Sequence, residues 1–485
     1  MGQVIAEVMT KYTGITIGPL NSTFCMIRNL RELWCVSFIF SRLMRTALHC
    51  LPKDALLIWP RISANGATEG ECYPDRIFFV HSLPIEWEEF NESVFAQFSA
   101  EIGADKERLA HYFNLMGTSL EMNDRCESRA IEELQKRLDA AELMSRTENP
   151  NALTAIRSLM LGNCNRICSL AREKRDILPE TLSIVATSEF ASNSLYKEII
   201  STRYRNDTEL YDALLIKGIP LKPHHTYYCM ILADGDNIGR ILGNINNETF
   251  DQFSKTLFEF GDKARGVIQG YGGLPIYATA DHLMFIAPVV SSGNRNVITL
   301  LEEIDSLYEV VVKQANELQT ADKVTTGLSF GQVICHYNYP LNEVLKLVTD
   351  QLYGKAKKMI GKNAISCMFL HNNGTAHVCG VSKRDRVFKQ INRLIDTPIG
   401  NEMIETMAYK LSANRALFNL VKRDPDRLSV FLDKYMAEVD NKQFLSVVSE
   451  TILYMSELES EELISKLYSM LSLTQFIKGE ELGDE

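Results

Sequence analysis

The stretch from residue 227 to residue 370 constrains the fold most strongly, because short apolar runs alternate there with amphipathic segments. The runs predict strands at 227–233 and 325–337, a hairpin at 273–288 and a last strand at 363–370, with helices at 247–269, 296–318 and 340–360. A strand, a returning helix and a second strand form a crossover, so the first two strands run parallel. The end of strand one and the turn after strand two therefore lie at the same edge of one sheet.

Acidic residues occupy both of those positions. Strand one ends in Asp234-Gly235-Asp236-Asn237, and strand two turns over at Thr279-Ala280-Asp281-His282. The sequence thus predicts three carboxylates at one edge, which is the palm arrangement that holds two Mg²⁺ ions for nucleotidyl transfer. Asp234 and Asp236 can share one metal zone only if Gly235 breaks the pleat, since alternate residues of a strand point to opposite faces.

A structural interpretation of the same residues stays open. Asp-Gly and Asp-Asn clusters at strand ends are often turns whose side chains cap backbone groups. The DGDN segment alone is typical of such a turn, and only the second acidic turn at the same edge favours a metal site.

The remainder of the chain predicts an α+β protein of several domains. A strand, a long helical stretch and two further strands indicate a small α+β unit, and the pattern then becomes helical and charged. No sequence repeat is evident, although the two α+β units could be structural relatives. We predict a first palm-like domain at 1–95, a helical insert at 96–195, a second palm at 196–380 and a helical C-terminal domain at 381–485.

Composition excludes some functions. No uncharged apolar run of about 18 residues occurs, which argues against a membrane span and favours a cytoplasmic protein. The net charge of −11 argues against coating nucleic acid by bulk electrostatics, although a local basic groove is compatible with it. The 11 cysteines follow no disulfide framework, so we expect reduced, mostly buried thiols.

Several ordered motifs resemble one family. The segments ADGDNIGRIL, IYATADHLMFIAP, LSFGQVICHYNYPLNEVL and GKNAIS are similar to the palm of the large polymerase/cyclase-like subunit of type III CRISPR–Cas effectors, in the type III-B (Cmr) branch. The N-terminal YTGITIGPL segment and YPDRIFF resemble the first palm of that branch. The resemblance covers roughly 12–80 and 160–370.

The resemblance implies two facing ferredoxin-like (βαββαβ) palm domains, a helical or zinc-ribbon insert and an all-α C-terminal domain. It also implies partners: the small helical subunit, the backbone subunits, the subunit that binds the crRNA tag, the crRNA and target RNA. The implied cofactors are Mg²⁺ and ATP, if the site is competent to make cyclic oligoadenylate.

The hairpin departs from the family pattern. Active members carry Gly-Gly-Asp-Asp where this chain has Thr279-Ala280-Asp281-His282. Neutral imidazole is a poor ligand for Mg²⁺, and Thr279 and Ala280 add Cβ atoms where glycine lets the backbone approach a nucleotide. We therefore expect the synthase site to be inactive or strongly weakened, with Asp234, Asp236 and Asp281 as its residual carboxylates.

Two further family features are expected to be missing. Many members begin with an HD nuclease domain, but this sequence has no His-Asp dipeptide, and His49, His81 and His111 lack acidic companions at ligand spacing. Cys164 and Cys168 lie where the family often has a zinc ribbon. A tetrahedral site needs four ligands, and Cys72 and Cys126 form no second close pair, so we expect a remnant without zinc.

Other residues carry weaker signals. The resemblance places Gly235, Asn237, Thr279, Ala280, Ser329 and Lys362 around the nucleotide site. For Lys362 a solvated loop position is the alternative. Arg31 and Glu32 begin an apolar helix face, where we favour a structural role. The basic stretches AREKR and YGKAKKMIGK could touch RNA or target DNA, although a charged run is usually a solvated face.

Three functions remain in competition. The first is a scaffold and sensor subunit of an RNA-guided antiviral complex, with a weakened synthase site and no DNA nuclease. The second is an active Mg²⁺-dependent nucleotidyltransferase that makes a cyclic or modified nucleotide messenger. The third is a stand-alone GGDEF-like palm nucleotide cyclase. A gene neighbourhood with CRISPR repeats and Cmr subunits would exclude the stand-alone cyclase. ATP turnover by the assembled complex, triggered by target RNA, would distinguish the first two functions.

Overall fold

The computed structural model describes residues 10–25, 27, 30–60, 73–82, 84–122, 126–144, 224, 227–291, 295–319, 323–336, 339–371, 374–383, 387–397, 401–437 and 441–478. It contains two β-sheets and a group of C-terminal helices. The segments that carry the predicted zinc-ribbon remnant, Cys164 and Cys168, lie outside the described residues, as does Cys72.

The first sheet has four antiparallel strands. They are β1 (Thr10–Gly18), β2 (Leu56–Trp59), β3 (Arg76–His81) and β4 (Asn114–Met122), in the order β2-β3-β1-β4. Helices α1 (Leu20–Cys25) and α2 (Leu30–His49) connect β1 to β2, and α3 (Trp87–Ile102) and α4 (Lys106–Tyr112) connect β3 to β4. This connectivity is the βαββαβ unit of a ferredoxin-like palm.

Strand β4 corrects the sequence interpretation. The stretch after residue 96 was expected to be helical, yet β4 pairs with β1 along its whole length, from Thr10↔Met122 to Gly18↔Asn114. The first sheet therefore extends beyond residue 95. The strand was missed because its sequence, NLMGTSLEM, is mostly half-buried and has no continuous apolar run. Helix α5 (Glu127–Met144) follows and packs on β1 and β4.

The second sheet repeats this topology. Strands β5 (Tyr227–Gly235), β6 (Leu274–Thr279), β7 (His282–Pro288) and β8 (Leu328–His336) lie in the order β8-β5-β7-β6. Helices α6 (Ile238–Asn244) and α7 (Asn247–Tyr271) connect β5 to β6, and α8 (Val297–Leu318) connects β7 to β8. Strands β5 and β6 run in the same direction, as predicted, because both pair antiparallel with β7 between them. The two α+β units are therefore structural relatives.

Two strands extend the second sheet beyond β8. Strand β9 (Ala364–Leu370) pairs parallel with β8, and β10 (Ala376–Ser382) pairs antiparallel with β9. Helix α9 (Leu341–Thr349) connects β8 to β9 and widens into a π-turn at Asp350–Lys355, followed by a 3-10 turn at Ala356–Lys358. Strand β10 was not predicted, because it is a partly exposed edge strand without an apolar run.

Helix ends in this domain follow from local chemistry. The Asn246 side chain caps α7 by accepting a hydrogen bond from the Thr249 amide, and Gly272 ends the helix with a left-handed φ of 98°. Asn296 caps α8 in the same way, through the amides of Ile298 and Thr299. These caps determine the residues at which α7 and α8 begin and α7 ends, and therefore where the chain continues into β6 and the β6–β7 hairpin.

The C-terminal part is helical, as predicted. It contains α10 (Val387–Asp396), α11 (Asn401–Ala413), α12 (Arg415–Val421), α13 (Pro425–Tyr435), α14 (Lys442–Tyr454) and α15 (Ser460–Lys478). Helix α15 covers β9 and β10, where Phe476 stacks on Phe369 with a centroid distance of 4.3 Å. None of the helices in the described ranges is long and apolar enough to cross a membrane.

The two palm domains contact each other directly. The Ser37 hydroxyl of α2 donates to the carbonyl of Ile276 in β6 at 2.6 Å. On the other side, Trp59 of β2 packs on Phe258 of α7, with ring centroids 5.0 Å apart. The first domain therefore packs next to the strand that leads into the acidic hairpin.

Candidate functional site

The end of β5 and the β6–β7 turn form the candidate site. In the register, Asp234 lies opposite Ser329 of β8, and Thr279 pairs with His282 to close a two-residue turn made of Ala280 and Asp281. Ala280 takes a left-handed φ of 52°, the conformation that glycine adopts without steric cost. The turn thus has a backbone conformation that favours glycine, although the residue at this position is alanine.

Gly235 brings the two acidic segments together. A Cβ atom at this position would lie 2.5 Å from Asp281 Oδ2 and 2.5 Å from the Tyr308 hydroxyl. The absence of a side chain therefore lets the Asp281 carboxyl lie directly over the backbone of β5. This contact confirms that the chain brings Asp281 to the end of β5, which carries Asp234 and is followed by Asp236.

Asp236 is held by the neighbouring strands. Its Oδ2 accepts hydrogen bonds from the Ser329 hydroxyl at 2.8 Å and from the Asn363 amide at 2.7 Å. Its own amide donates to the Gly327 carbonyl at 2.8 Å. The Asp236 residue is only 1% exposed, and its Oδ1 is buried and accepts no hydrogen bond from any described residue. Asp236 Oδ2 thus caps a backbone amide, as the turn interpretation of the DGDN segment predicts. Asp236 Oδ1 remains available to a cation.

Lys357 lies between the two carboxylates. Its Nζ is 2.5 Å from Asp234 Oδ2 and 3.4 Å from Asp236 Oδ1, and it donates to the Gly235 carbonyl at 2.7 Å. The lysine side chain is only 14% exposed. Lys357 was not predicted as a site residue, because one lysine in a basic run carries no signal of its own.

The π-turn explains how Lys357 reaches the site. Gly331 of β8 has no side chain, and a Cβ there would lie 2.5 Å from the Leu352 amide. The helical segment can therefore approach the sheet closely at the π-turn, and the chain then delivers Lys357 to the end of β5. At Gly331 the helical segment thus lies directly against the sheet.

His282 faces Asp234 from the hairpin. Its Nε2 lies 2.5 Å from Asp234 Oδ1, and about half of the imidazole is exposed. Burial works against the charged ring, but the hydrogen bond to Asp234 and the charges of Asp234, Asp281 and Asp75 raise the pKa of His282 to about 9. Asp75 immediately precedes β3, so the first palm contributes a carboxylate to the environment of this histidine.

The carboxylates respond in opposite directions. Burial favours the neutral form of Asp234, but His282 and Lys357 outweigh it and hold the pKa of Asp234 below its usual value. Burial and the nearby charge of Asp234 raise the pKa of Asp281. Burial, together with the nearby carboxylates, also raises the pKa of the phenols Tyr277, Tyr308 and Tyr353, so these groups are neutral donors around the site.

The other predicted residues have defined places. Asn237 follows the carboxylates with a φ of 62°, and its side-chain oxygen accepts from Lys362 Nζ at 2.9 Å. Lys362 is therefore tied to the site rather than solvated freely. Thr279 is the hairpin position opposite His282. Away from the site, His81 is a buried residue of β3 within hydrogen-bond distance of Thr13, and Glu32 is buried in α2.

The Mg²⁺ ions that the resemblance implies do not fit this side-chain arrangement. Asp234 is bound by two cationic side chains, and protonated His282 has no lone pair on Nε2 for a metal. No three His, Cys, Asp or Glu side chains of the described residues are grouped so that they could hold a metal ion. The site therefore holds three carboxyl groups, with Lys357 between Asp234 and Asp236 and His282 on Asp234.

The second palm domain is similar in sequence to domains of known proteins. Residues 227–366, which include β5 to β8 and the whole acidic site, match the family model of the Cas10/Cmr2 second palm domain. This chain is Cas10/Cmr2-like. It is 26% identical over 184 residues to the CRISPR system Cmr subunit Cmr2 of Pyrococcus furiosus, an alignment that covers 31% of this chain and 19% of that relative.

Solved structures extend the likeness of the Cas10/Cmr2-like chain to most of its length. The type III-B Cmr-beta structure bound to cognate target RNA has a TM-score of 0.55 at 11% identity, covering 91% of this chain and 79% of that one. A Csm1–Csm4 cassette in complex with pppApA has a TM-score of 0.51 at 11% identity, covering 96% of this chain and 69% of that one. At such identity the likeness establishes the fold: two palms followed by a helical domain.

Proposed function

We propose that this chain is the large subunit of an RNA-guided type III CRISPR effector complex, with a strongly weakened nucleotide synthase site. The observation that carries the proposal is the match of the second palm to the Cas10/Cmr2 family over the residues that form the acidic edge. The Cmr-beta and Csm1–Csm4 structures that share its fold are multi-subunit assemblies, and one of them holds target RNA. We infer other type III subunits, crRNA and target RNA as partners of this chain.

The weakened synthase follows from the side chains at the edge. His282 replaces the second acid of the hairpin and binds Asp234, so it supplies a positive charge where the family pattern has a negative one. Two-metal chemistry needs carboxylate oxygens that are free to bind the ions. In this chain the Asp234 oxygens are bound by His282 and Lys357 instead.

An active nucleotidyltransferase is the second candidate, and one observation favours it. Asp234, Asp236 and Asp281 are all retained, and Gly235 keeps the Asp281 carboxyl against the end of β5. Movement of Lys357 and His282 on nucleotide binding would restore a three-carboxylate edge.

The decisive experiment uses the assembled complex. Guide, matching target RNA, radiolabelled ATP and Mg²⁺ or Mn²⁺ are incubated with complexes that carry the wild-type chain, Asp234→Ala or Asp281→Ala, and the products are separated by chromatography. Binding of target RNA is measured in parallel. We expect target binding without a target-dependent product. A product that is lost in both variants would establish the active synthase, and a chain that joins no such complex would contradict the subunit assignment.

A further inference from the structure

The acidic edge is a built cation site that the protein fills with its own ammonium group. Three oxygen atoms converge on Lys357 Nζ: Asp234 Oδ2 at 2.5 Å, the Gly235 carbonyl at 2.7 Å and Asp236 Oδ1 at 3.4 Å. Two carboxylates and a backbone carbonyl are the all-oxygen ligands that hard divalent cations prefer. The same three atoms cannot serve a metal ion while the ammonium stands among them.

Asp236 provides independent support. Its Oδ1 is buried, has no hydrogen-bond donor among the described residues and points towards Lys357. A buried carboxylate oxygen without a hydrogen bond is costly unless a charge compensates it. The carboxylate cannot turn away, because its other oxygen is held by Ser329 and Asn363. The fold thus fixes one ligand atom of a cation site, and Lys357 is the cation that it faces.

We propose that Lys357 takes the place of a divalent metal ion and excludes Mg²⁺ and Mn²⁺ from the palm while it remains between the carboxylates. His282 reinforces the exclusion because its Nε2 lies against Asp234 Oδ1, so both oxygens of that carboxylate already contact a side chain. A dication that entered beside the ammonium would meet a like charge at a separation of a few ångströms. Removal of the lysine charge, with the carboxylates kept, should therefore create a metal site.

The experiment measures metal binding by the full chain alone. Mn²⁺ is titrated into wild type, Lys357→Met, Asp236→Asn and the double variant Lys357→Met/Asp236→Asn, and free Mn²⁺ is followed by its electron paramagnetic resonance signal. Lys358→Met is the matched control, because Lys358 is the next residue in the chain, is exposed and forms no ion pair with the described residues of the site. We expect wild type and the control to bind Mn²⁺ at this site at least about 100-fold more weakly than Lys357→Met, on the order of one close like-charge repulsion. The double variant should lose this binding.

Two results would overturn the proposal: Mn²⁺ binding by wild type that Asp236→Asn removes, or no gain of binding in folded Lys357→Met. If Lys357→Met does not fold, Lys357→Gln keeps a hydrogen-bond donor without the charge and is expected to show the same gain. Exclusion of metal by Lys357 would explain why the synthase site is weakened, and its biological meaning rests on that proposed function. Its readout needs neither RNA nor product, so a failure here is distinguishable from a failure of the complex to assemble or signal.

Discussion

His282 should carry a proton at neutral pH, and this charge should stabilise the second palm. Its pKa rises from 6.5 to about 9 because the carboxylates of Asp234, Asp281 and Asp75 outweigh the cost of burial. A group whose pKa is raised on folding contributes its full stabilisation below the unfolded pKa and loses it as the pH rises through the folded pKa. The contribution should therefore be complete below pH 6.5 and fall away between pH 6.5 and about 9.

The size of the effect follows from the shift and the exposure. A shift from 6.5 to about 9 corresponds to about 3 kcal/mol for a fully shielded group. Since 49% of the imidazole side chain is exposed, solvent screening should reduce this to about 1 kcal/mol. His282→Asn keeps a polar side chain and removes the charge, so it should destabilise the protein by about 1 kcal/mol at pH 6 and by much less at pH 10.

The assay is urea unfolding of wild type and His282→Asn at both pH values, combined with an NMR titration of the histidine ring signals. His49→Asn is the control, because it removes an exposed histidine of α2 that is remote from the hairpin in sequence. A ring that titrates near 6.5, or an equal loss of stability at pH 6 and pH 10, would refute the ion-pair account of His282.

Two further perturbations test the packing around the site. Gly261→Ala should destabilise the second palm by about 1–3 kcal/mol, since its Cβ would lie 2.9 Å from a backbone nitrogen of the hairpin turn. Gly266→Ala in the same helix meets nothing within 4 Å and should be stabilising by up to about 1 kcal/mol, so equal effects in thermal unfolding would contradict the close approach. Lys383→Met removes a buried cation that pairs with Asp305 and should cost about 2–4 kcal/mol in urea unfolding, whereas exposed Lys389→Met should stay within about 0.5 kcal/mol. A similar loss of stability in Lys383→Met and Lys389→Met would contradict a stabilising role for the buried Lys383–Asp305 pair.

The sequence predicted the second palm well because its strands are continuous apolar runs and its turns carry acidic residues. Strands β5 to β9 were all predicted, and the crossover rule correctly placed Asp234 and Asp281 at one edge. Strands β4 and β10 were missed, because both are partly exposed and owe their conformation to pairing with a neighbour. The periodicity of apolar residues indicates which residues are buried. It therefore does not reveal a strand that is stabilised mainly by pairing with a neighbouring strand.

The candidate site was predicted in part for a similar reason. The carboxylates lie at turns that the topology brings together, whereas Lys357 arrives through a π-turn and a 3-10 turn that no periodicity indicates. Its role depends on Gly331, which lies on a different element and admits the helical segment to the sheet. A contact that requires a glycine in one strand and an irregular turn in another segment is not visible in either sequence by itself.

The substitution of His282 and the position of Lys357 are best understood as parts of one charge balance. Three buried or half-buried carboxylates at a single strand end repel one another, and two divalent ions normally relieve that repulsion in a palm. In this chain Asp234 contacts two positively charged side chains, Lys357 and protonated His282. The Lys357 ammonium also faces Asp236. These contacts relieve part of the repulsion, and they involve the same oxygen atoms that a metal ion would bind. The chain itself thus supplies the positive charges that let Asp234 and Asp236 lie together at one strand end.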